Sequence, residues 1–389
     1  MDFALTPEQV AIQKRARVFA REEVAPLARA ADERGAFPMG LVGRLAELGF
    51  LGATIPTEYG GSGLDAMSFA LICEELGWAD ASVRGFLTVH AGLVAGCVRE
   101  WGGEEQKRAV LPKLASGEWI GCYCLTEPEA GSDAASLRTT ARLDGDGYAL
   151  NGEKIWITNG NIAHVAIIFA TEDPAARHRG IRAFLVPTDT PGFRREALDG
   201  HPLGHRAADH ARILMEDCRA GADAPLGPTG SGFKVAMSAL DGGRLGVAAG
   251  AVGIGQACLD AAVDFTRGRR QFGQRLADFE MVQASLADIA ADVEAARLLV
   301  YRAAWLRDQR EPATRATSIA KLFATEAAAR ATGQVVLLHG NRGYSSAYPV
   351  ERHYRDIKGM QIYEGTSHIQ RIVIARDLVG REERATKEG

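Results

Sequence analysis

The chain reads as an α+β protein in three segments: a helical first third, a small β-rich middle and a long helical C-terminal part. Three observations predict this. Apolar residues recur among charged ones at helical spacing through the first third. From Gly121 short β-branched and aromatic runs alternate with glycine and asparagine turns. From about Gly232 the helical period returns and persists. The expected domains are 1–120, 121–231 and 232–389, and 389 residues are too many for one ordinary core.

Taken in order, Thr6-Pro7-Glu8-Gln9 combines proline at the first helical position with a Thr-x-x-Gln capping box. The helix it starts, with Val10, Phe19 and Val24 on its apolar side, is expected to end near Pro26. Leu41 to Leu48 forms a second short helix, and Pro56 to Gly63 a loop whose glycines lack the Gly-Lys-Ser/Thr ending of a phosphate loop. Further helices are expected over Ala66 to Leu76, Arg84 to Glu100 and Glu104 to Leu114.

In the middle segment, Arg138–Leu143, Gly147–Asn151, Glu153–Ile157, Val165–Thr171, Arg182–Pro187 and Arg212–Met215 read as strands. Asp144-Gly-Asp-Gly147 and Asn151-Gly152 are hairpin signals between them, and the spacing suggests a small antiparallel barrel or sandwich. Beyond it, Phe233–Arg267, Ala284–Arg307 and Ala313–Leu338 carry long 3.6-period patterns of an up-and-down bundle. Gly250, Gly253 and Gly255 fail as a dinucleotide fingerprint because no strand precedes them, and close helix packing is the better reading. The tail after Gly380 is expected to fray.

The balance of 47% hydrophobic and 24% charged residues is that of a soluble globular chain. A net charge of -4 gives no electrostatic case for a nucleic-acid partner, although Arg267, Arg269 and Arg270 cluster in a way that suits a phosphate or pyrophosphate. The six cysteines form no paired CxxC and no zinc spacing, so no metal is expected. They read as buried thiols of a reducing compartment. No charged-then-apolar leader and no run approaching the ~18 apolar residues of a membrane helix is evident, which places the protein in the cytoplasm.

Three stretches carry the chemistry. In Gln361-Ile-Tyr-Glu364-Gly-Thr366-Ser-His368-Ile-Gln370, Glu364 is the candidate base, Gly365 lets backbone approach a ligand and Thr366 is placed to cap the next helix. Tyr123-Cys-Leu-Thr126-Glu-Pro-Glu-Ala-Gly131-Ser132-Asp133 is a hydroxyl-bearing turn at the junction of the helical and strand regions, suited to a ligand and equally to a plain corner. Lys154-Ile-Trp156-Ile-Thr158 sets an aromatic ring and a hydroxyl on one strand face by period two.

Thr126, Ser132, Trp156, Thr158, Arg269-Arg270-Gln271-Phe272-Gly273 and Tyr363-Glu364-Gly365-Thr366, in that order over this architecture, resemble the acyl-CoA dehydrogenase family across nearly the whole chain. The resemblance implies a helical N-terminal domain, a small antiparallel β-barrel and a C-terminal four-helix bundle. It implies FAD held at its ring by Tyr123, Thr126, Ser132, Trp156 and Thr158, and again near Thr366 and His368. Arg269 and Phe272 match residues that reach the FAD of a neighbouring subunit in a homotetramer, a dimer of dimers. Asp241 and Arg244, three apart on one helical face, match positions that hold the CoA end of the substrate, which Ser132 borders and Gly365 adjoins. Glu364 matches the base that takes the α-proton of a saturated acyl thioester while flavin N5 takes the β-hydride. Family members polarise the thioester carbonyl with the backbone N–H of the base and a flavin ribose hydroxyl.

One position discriminates within the family. Some members carry the base where this chain has Gly243, and glycine cannot serve; Glu364 is therefore the base, as in short-chain, medium-chain and glutaryl-type enzymes. Two positions depart from the family. Leu337 stands in place of a glutamine, and Asn341, after Gly340, in place of a second glycine, where relatives meet a neighbour's FAD. Leucine donates no hydrogen bond, a deficit of only ~0.5–1.5 kcal/mol that other contacts can offset. Arg84 matches an arginine that glutaryl-type enzymes place near a distal carboxylate, and reads otherwise as a surface or interface residue.

The expected activity is α,β-dehydrogenation of a short acyl-CoA, with electrons passed to an electron-transferring flavoprotein. The alternatives are a glutaryl-type enzyme, an enzyme acting on an acyl group tethered to a carrier protein, and a flavoprotein that has lost turnover.

Overall fold

The computed structural model describes residues 4–380, so the tail expected to fray lies outside the described residues. Helix α1 (Pro7–Phe19) starts at the capping box, with Thr6 Oγ1 accepting from the Gln9 N–H and Gln9 Oε1 from the Thr6 N–H. It does not end near Pro26. The chain widens into a π-helical turn over Ala20–Val24 and continues as α2 (Ala25–Arg34) to a left-handed Gly35. Proline lacks an N–H, and a π turn just before it relieves the ring's clash with the preceding carbonyls without stopping the helix.

There follow α3 (Gly40–Glu47), α4 (Ala66–Ala79), α5 (Ala81–Leu87), α6 (Ala95–Trp101) and α7 (Glu104–Ser116). Asp80 caps α5, its Oδ1 accepting from Ser82 N and Val83 N at 2.8 and 2.9 Å. A second π stretch, Thr88–Val94, joins α5 to α6.

The middle segment holds β1 (Gly121–Cys124), β2 (Thr140–Asp144), β3 (Gly147–Thr158), β4 (Val165–Thr171), β5 (Ile181–Pro187), β6 (Phe193–Ala197), β7 (His210–Ala220) and β8 (Pro225–Leu226). Hydrogen bonding orders them β6-β7-β3-β2-β4-β5-β8, with β1 beside β4. The Asp144–Gly147 hairpin joins β2 to β3 as expected. Asn151-Gly152 is not a hairpin: β3 runs through it, and the register against β7 shifts between Leu150 and Gly152. Glycine here makes a bulge, because its positive φ of 151° displaces one residue from the ladder without turning the chain back. The pairing is chiefly antiparallel, but β4 takes β1 and the end of β2 in parallel. The 125–139 loop crosses over between β1 and β2, so those two strands enter the sheet in the same direction and no hairpin joins them.

The C-terminal part comprises α8 (Gly232–Gly268), the two-residue strands β9 (Arg270–Gln271) and β10 (Gln274–Arg275), then α9 (Glu280–Asp308), α10 (Thr314–His339), α11 (Val350–Ile362) and α12 (Ser367–Val379). Gly253 packs so closely on α4 that a β-carbon there would stand 2.6 Å from Trp78 N, which is the close helix packing expected of the glycine trio. Leu71, Ile72, Val247, Val252, Val300 and Val335 belong to one core shared by the N-terminal and C-terminal helices. The sequence expectation about apolar runs needs one correction. The Ala81–Trp101 and Gly232–Gly268 helical runs are long and apolar enough to cross a membrane by composition, but 83% and 72% of their apolar windows are buried inside the protein.

Candidate active site

The site is assembled where α11 stops and α12 starts. Tyr363 is extended after Ile362, Glu364 adopts a left-handed φ of 54° and Gly365 one of 92°. Thr366 then caps α12, its Oγ1 accepting from Ile369 N at 3.2 Å. A non-glycine residue at positive φ is costly and persists only where its surroundings over-determine it. Here they do. Arg244 Nε donates to Glu364 O at 3.1 Å, Gln370 Nε2 to Gly365 O at 2.9 Å, and Lys321 Nζ to Tyr363 O and Gly365 O at 2.8 and 2.6 Å.

The Glu364 carboxyl points at α8. Its Oε2 is buried without a hydrogen-bond partner among the described residues. It lies against Gly243, where a β-carbon would collide with it. Burial pushes its pKa up, opposed by the charges of Arg84, Lys321 and Arg244. This is the state expected of a general base whose water has been removed.

Arg244 is also joined to Asp241, Nη1 to Oδ1 at 2.6 Å, and Thr314 Oγ1 donates to Asp241 Oδ2 at 2.8 Å. The three-residue spacing thus gives the shared face that the sequence suggested. Arg84 is neither a surface nor an interface arginine: it is 0% exposed. Its Nη1 donates to Thr88 Oγ1 at 3.1 Å, Nη2 to the Tyr363 hydroxyl, and Nε has no partner among the described residues. Its guanidinium sits 5.6 Å from the centroid of the Tyr363 ring. His205 closes the far side of that ring, 5.4 Å between centroids, and is itself anchored by its backbone N–H to Asp356 Oδ1 at 2.6 Å. Sequence reasoning missed Lys321, His205 and Gln370, since nothing local marks them.

A second cluster lies on the β-domain. The register of β3 against β7 shifts between Lys154 and Ile157, and Trp156 takes a φ of 57° that turns its ring outward, 52% exposed. Strict alternation is therefore broken at Trp156, yet Trp156 and Thr158 still meet at one residue, His210. The indole and imidazole centroids are 6.0 Å apart, and Thr158 Oγ1 is 3.2 Å from His210 Nδ1. Ile155 N donates to Thr126 O at 2.9 Å, which brings the half-buried Thr126 against the residue that precedes Trp156. Buried beneath, Lys154 Nζ pairs with Glu127 Oε1 at 2.7 Å and holds the loop in place. Ser132 is exposed on that loop. The Tyr123 side chain does not face this cluster: its ring packs on Phe169 and its hydroxyl donates to Ala236 O at 3.2 Å.

The remaining candidates lie on exposed turns. Phe272 is 94% exposed at the tip of the β9–β10 hairpin and Leu337 is 80% exposed near the end of α10. Arg269 is half-buried; Gly340, Asn341 and His368 are exposed. The outward indole with Thr158 beside it on the shared His210 fits the face of a planar heterocycle.

Comparison with known proteins shows the family. Family models for the acyl-CoA dehydrogenase N-terminal, middle and C-terminal domains match residues 6–118, 122–218 and 230–379. A probable acyl-CoA dehydrogenase, YngJ, of Bacillus subtilis is 45% identical over 97% of this chain and 100% of its own. The human mitochondrial short-chain specific acyl-CoA dehydrogenase is 43% identical over 93% of this chain and 88% of its own. Among solved structures, butyryl-CoA dehydrogenase from Megasphaera elsdenii superposes with a TM-score of 0.95 at 40% identity, covering 98% of this chain and 100% of its own. A glutaryl-CoA dehydrogenase in complex with glutaryl-CoA gives 0.94 at 37% identity, covering 98% and 97%. A glutaryl-CoA dehydrogenase from Mycobacterium smegmatis in complex with FADH2 gives 0.92 at 33%, covering 97% and 96%. By these matches along its whole length, the chain belongs to the acyl-CoA dehydrogenase family.

Proposed function

We propose that this protein catalyses FAD-dependent α,β-dehydrogenation of a short acyl-CoA to the trans-2-enoyl-CoA, with Glu364 as the base. The observation that carries it is the buried Glu364 Oε2, which lacks a hydrogen-bond partner among the described residues and is aimed into the gap left by Gly243. A carboxylate at its ordinary ~4.3 is a poor match for a thioester α-proton, and dehydration of the site raises it toward a useful value. The positive φ at Glu364 leaves its backbone N–H free of the helix ladder and available to the thioester oxygen.

Bound FAD supplies the acceptor for the β-hydride. We assign Trp156, Thr126, Thr158 and Ser132 to its ring, Tyr123 to the same edge through its backbone, and Thr366 and His368 to the chain just past the base. The exposed Phe272, Arg269, Leu337, Gly340 and Asn341 are assigned to FAD across a subunit boundary in a homotetramer. Asp241 and Arg244 flank the CoA side, with Gly365 adjoining. An electron-transferring flavoprotein is the assigned acceptor. The change from helix to strand at Gly121 and the start of α8 at Gly232 support the division 1–120, 121–231 and 232–389.

A second reading has a specific observation behind it. Arg84 is buried beside Tyr363 with no carboxylate partner among the described residues, which favours an acyl tail ending in a carboxylate. Anaerobic titration of the purified flavoprotein with butyryl-CoA, longer acyl-CoAs, glutaryl-CoA and acyl groups bound to a carrier protein tests both readings. Bleaching by butyryl-CoA in preference to glutaryl-CoA supports the first, and the reverse order the second. Bleaching only by carrier-bound acyl groups, or none at all, overturns both.

A further inference from the structure

Lys321, on α10, is 1% exposed and makes its hydrogen bonds to carbonyls, with no ion pair to a carboxylate among the described residues. Bringing an ammonium into such a place without a counter-ion is expensive, and burial pushes its pKa down accordingly. Its hydrogen bonds explain why it is there. Both acceptors are backbone carbonyls, Tyr363 O at 2.8 Å and Gly365 O at 2.6 Å, the two that bracket Glu364. One donor group holding the peptide that enters a left-handed Glu364 and the peptide that leaves Gly365 resists unwinding of the turn between them.

The other straps differ in reach. Arg244 Nε holds the carbonyl of Glu364 alone, and Gln370 Nε2 holds the carbonyls of Glu364 and Gly365, at 3.4 and 2.9 Å. Only Lys321, among these three, grips the chain on both sides of the base. α8, α10 and α12 thus each send one side chain to the four-residue linker Tyr363–Thr366.

We propose that Lys321 is a positioning residue for the dehydrogenation: by clamping the carbonyls on either side of Glu364 it fixes the strained turn that directs the carboxyl toward Gly243. The proposal rests on Glu364 being the base. The charged and titratable groups around the pair are Arg84 from α5, Cys73 from α4, Tyr123 from β1, Asp241 and Arg244 from α8, Glu326 from α10 and Tyr363 from the linker. Lys321 is one of three cations that favour the ionised base, so its removal also raises the pH at which Glu364 gives up its proton.

The test compares Lys321→Met, which keeps length and loses the donors, with Lys321→Gln, which keeps an amide donor and loses the charge. Two readouts are used: dehydrogenation of butyryl-CoA across pH, and hydrogen–deuterium exchange at C2 of acetyl-CoA, which has no β-hydrogen and so reports the base alone. Loss of alignment by about 1 Å predicts a fall in kcat and in exchange of about a hundredfold for Lys321→Met, with KM within about twofold. Lys321→Gln should recover part of that rate. In both variants the acidic limb of the profile should move to higher pH. Wild-type kcat and an unmoved acidic limb in either folded variant overturn the proposal, even with a lowered Tm, since a purely structural lysine would give that pattern. If Lys321→Met does not fold, Lys321→Gln decides by the same criteria. Retained C2 exchange in Glu364→Gln would instead overturn the base assignment itself.

Discussion

The carboxyl oxygen Oε2 of Glu364 lies in the space that a β-carbon on Gly243 would need. The proposed base and the position ruled out for it, Glu364 and Gly243, therefore face one another across a single gap, which the α11–α12 linker fills. Any side chain at position 243 would displace the Glu364 carboxyl as it now stands.

Gly243→Ala should displace the Glu364 carboxyl. Because the added methyl also meets Leu93 Cδ2 at 2.7 Å, neither neighbour can yield freely. We expect kcat for butyryl-CoA to fall by about a hundredfold while FAD content is unchanged. Gly242→Ala is the control, since its methyl would meet only Arg307 Nη2 at an ordinary 3.5 Å. Equal activity of the two variants would refute the packing argument.

The acidic limb of the kcat/KM profile should lie above the ordinary carboxylate value of ~4.3, because burial raises Glu364 and the ionised form is the active one. Activity is lost as pH falls through that raised value. Arg84 is the leading charge opposing the rise, so Arg84→Met should move the limb still higher. A limb at or below ~4.3 in the parent enzyme would show that the base is not dehydrated.

Glu364→Gln should retain FAD and the quaternary state while losing nearly all dehydrogenation, read by flavin absorbance and steady-state turnover. A variant keeping most of its activity would move the base elsewhere.

The loop that carries Thr126 and Ser132 depends on the buried Glu127. That carboxylate accepts from Thr139 N at 3.0 Å and from Lys154 Nζ at 2.7 Å. Glu127→Gln leaves the ammonium of Lys154 without a counter-charge in the sheet. Removing one partner of a buried pair costs ~3–5 kcal/mol, which should appear as a lowered Tm together with weaker FAD retention. An unchanged Tm would mean that Lys154 is neutral or rehydrated.

Stability should decline in mild acid. Burial holds His90 and His205 down to about 4, so they stay neutral in the folded protein while the unfolded chain takes up protons below ~6.5. More protons are bound by the unfolded state in that window, and stability falls as pH drops through it. Thermal unfolding at a series of pH values checks this; a Tm that stays flat from neutral pH down to ~4.5 would contradict it.

The sequence by itself determined what short spacing controls: the capping box at Thr6, the Asp144–Gly147 hairpin, the shared face of Asp241 and Arg244, and the cap that Thr366 gives α12. Each rests on residues at most four apart, so local backbone physics decides it. It also singled out Glu364, through the run of residues around it and the glycine at 243. Where a local signal was ambiguous, the surroundings overruled it. Pro26 reads as a stop but is absorbed by a π turn, and Asn151-Gly152 reads as a hairpin but becomes a bulge once β7 pairs along the whole of β3. What only the tertiary structure decided is the setting of Glu364. Arg84 reads as a surface residue and Lys321 as one position in a helical pattern, because burial is a property of the elements packed around a residue and not of its neighbours in the chain. The same long-range packing brings α5, α8, α10 and α12 to the linker that holds Glu364, and so buries its carboxyl and raises its pKa.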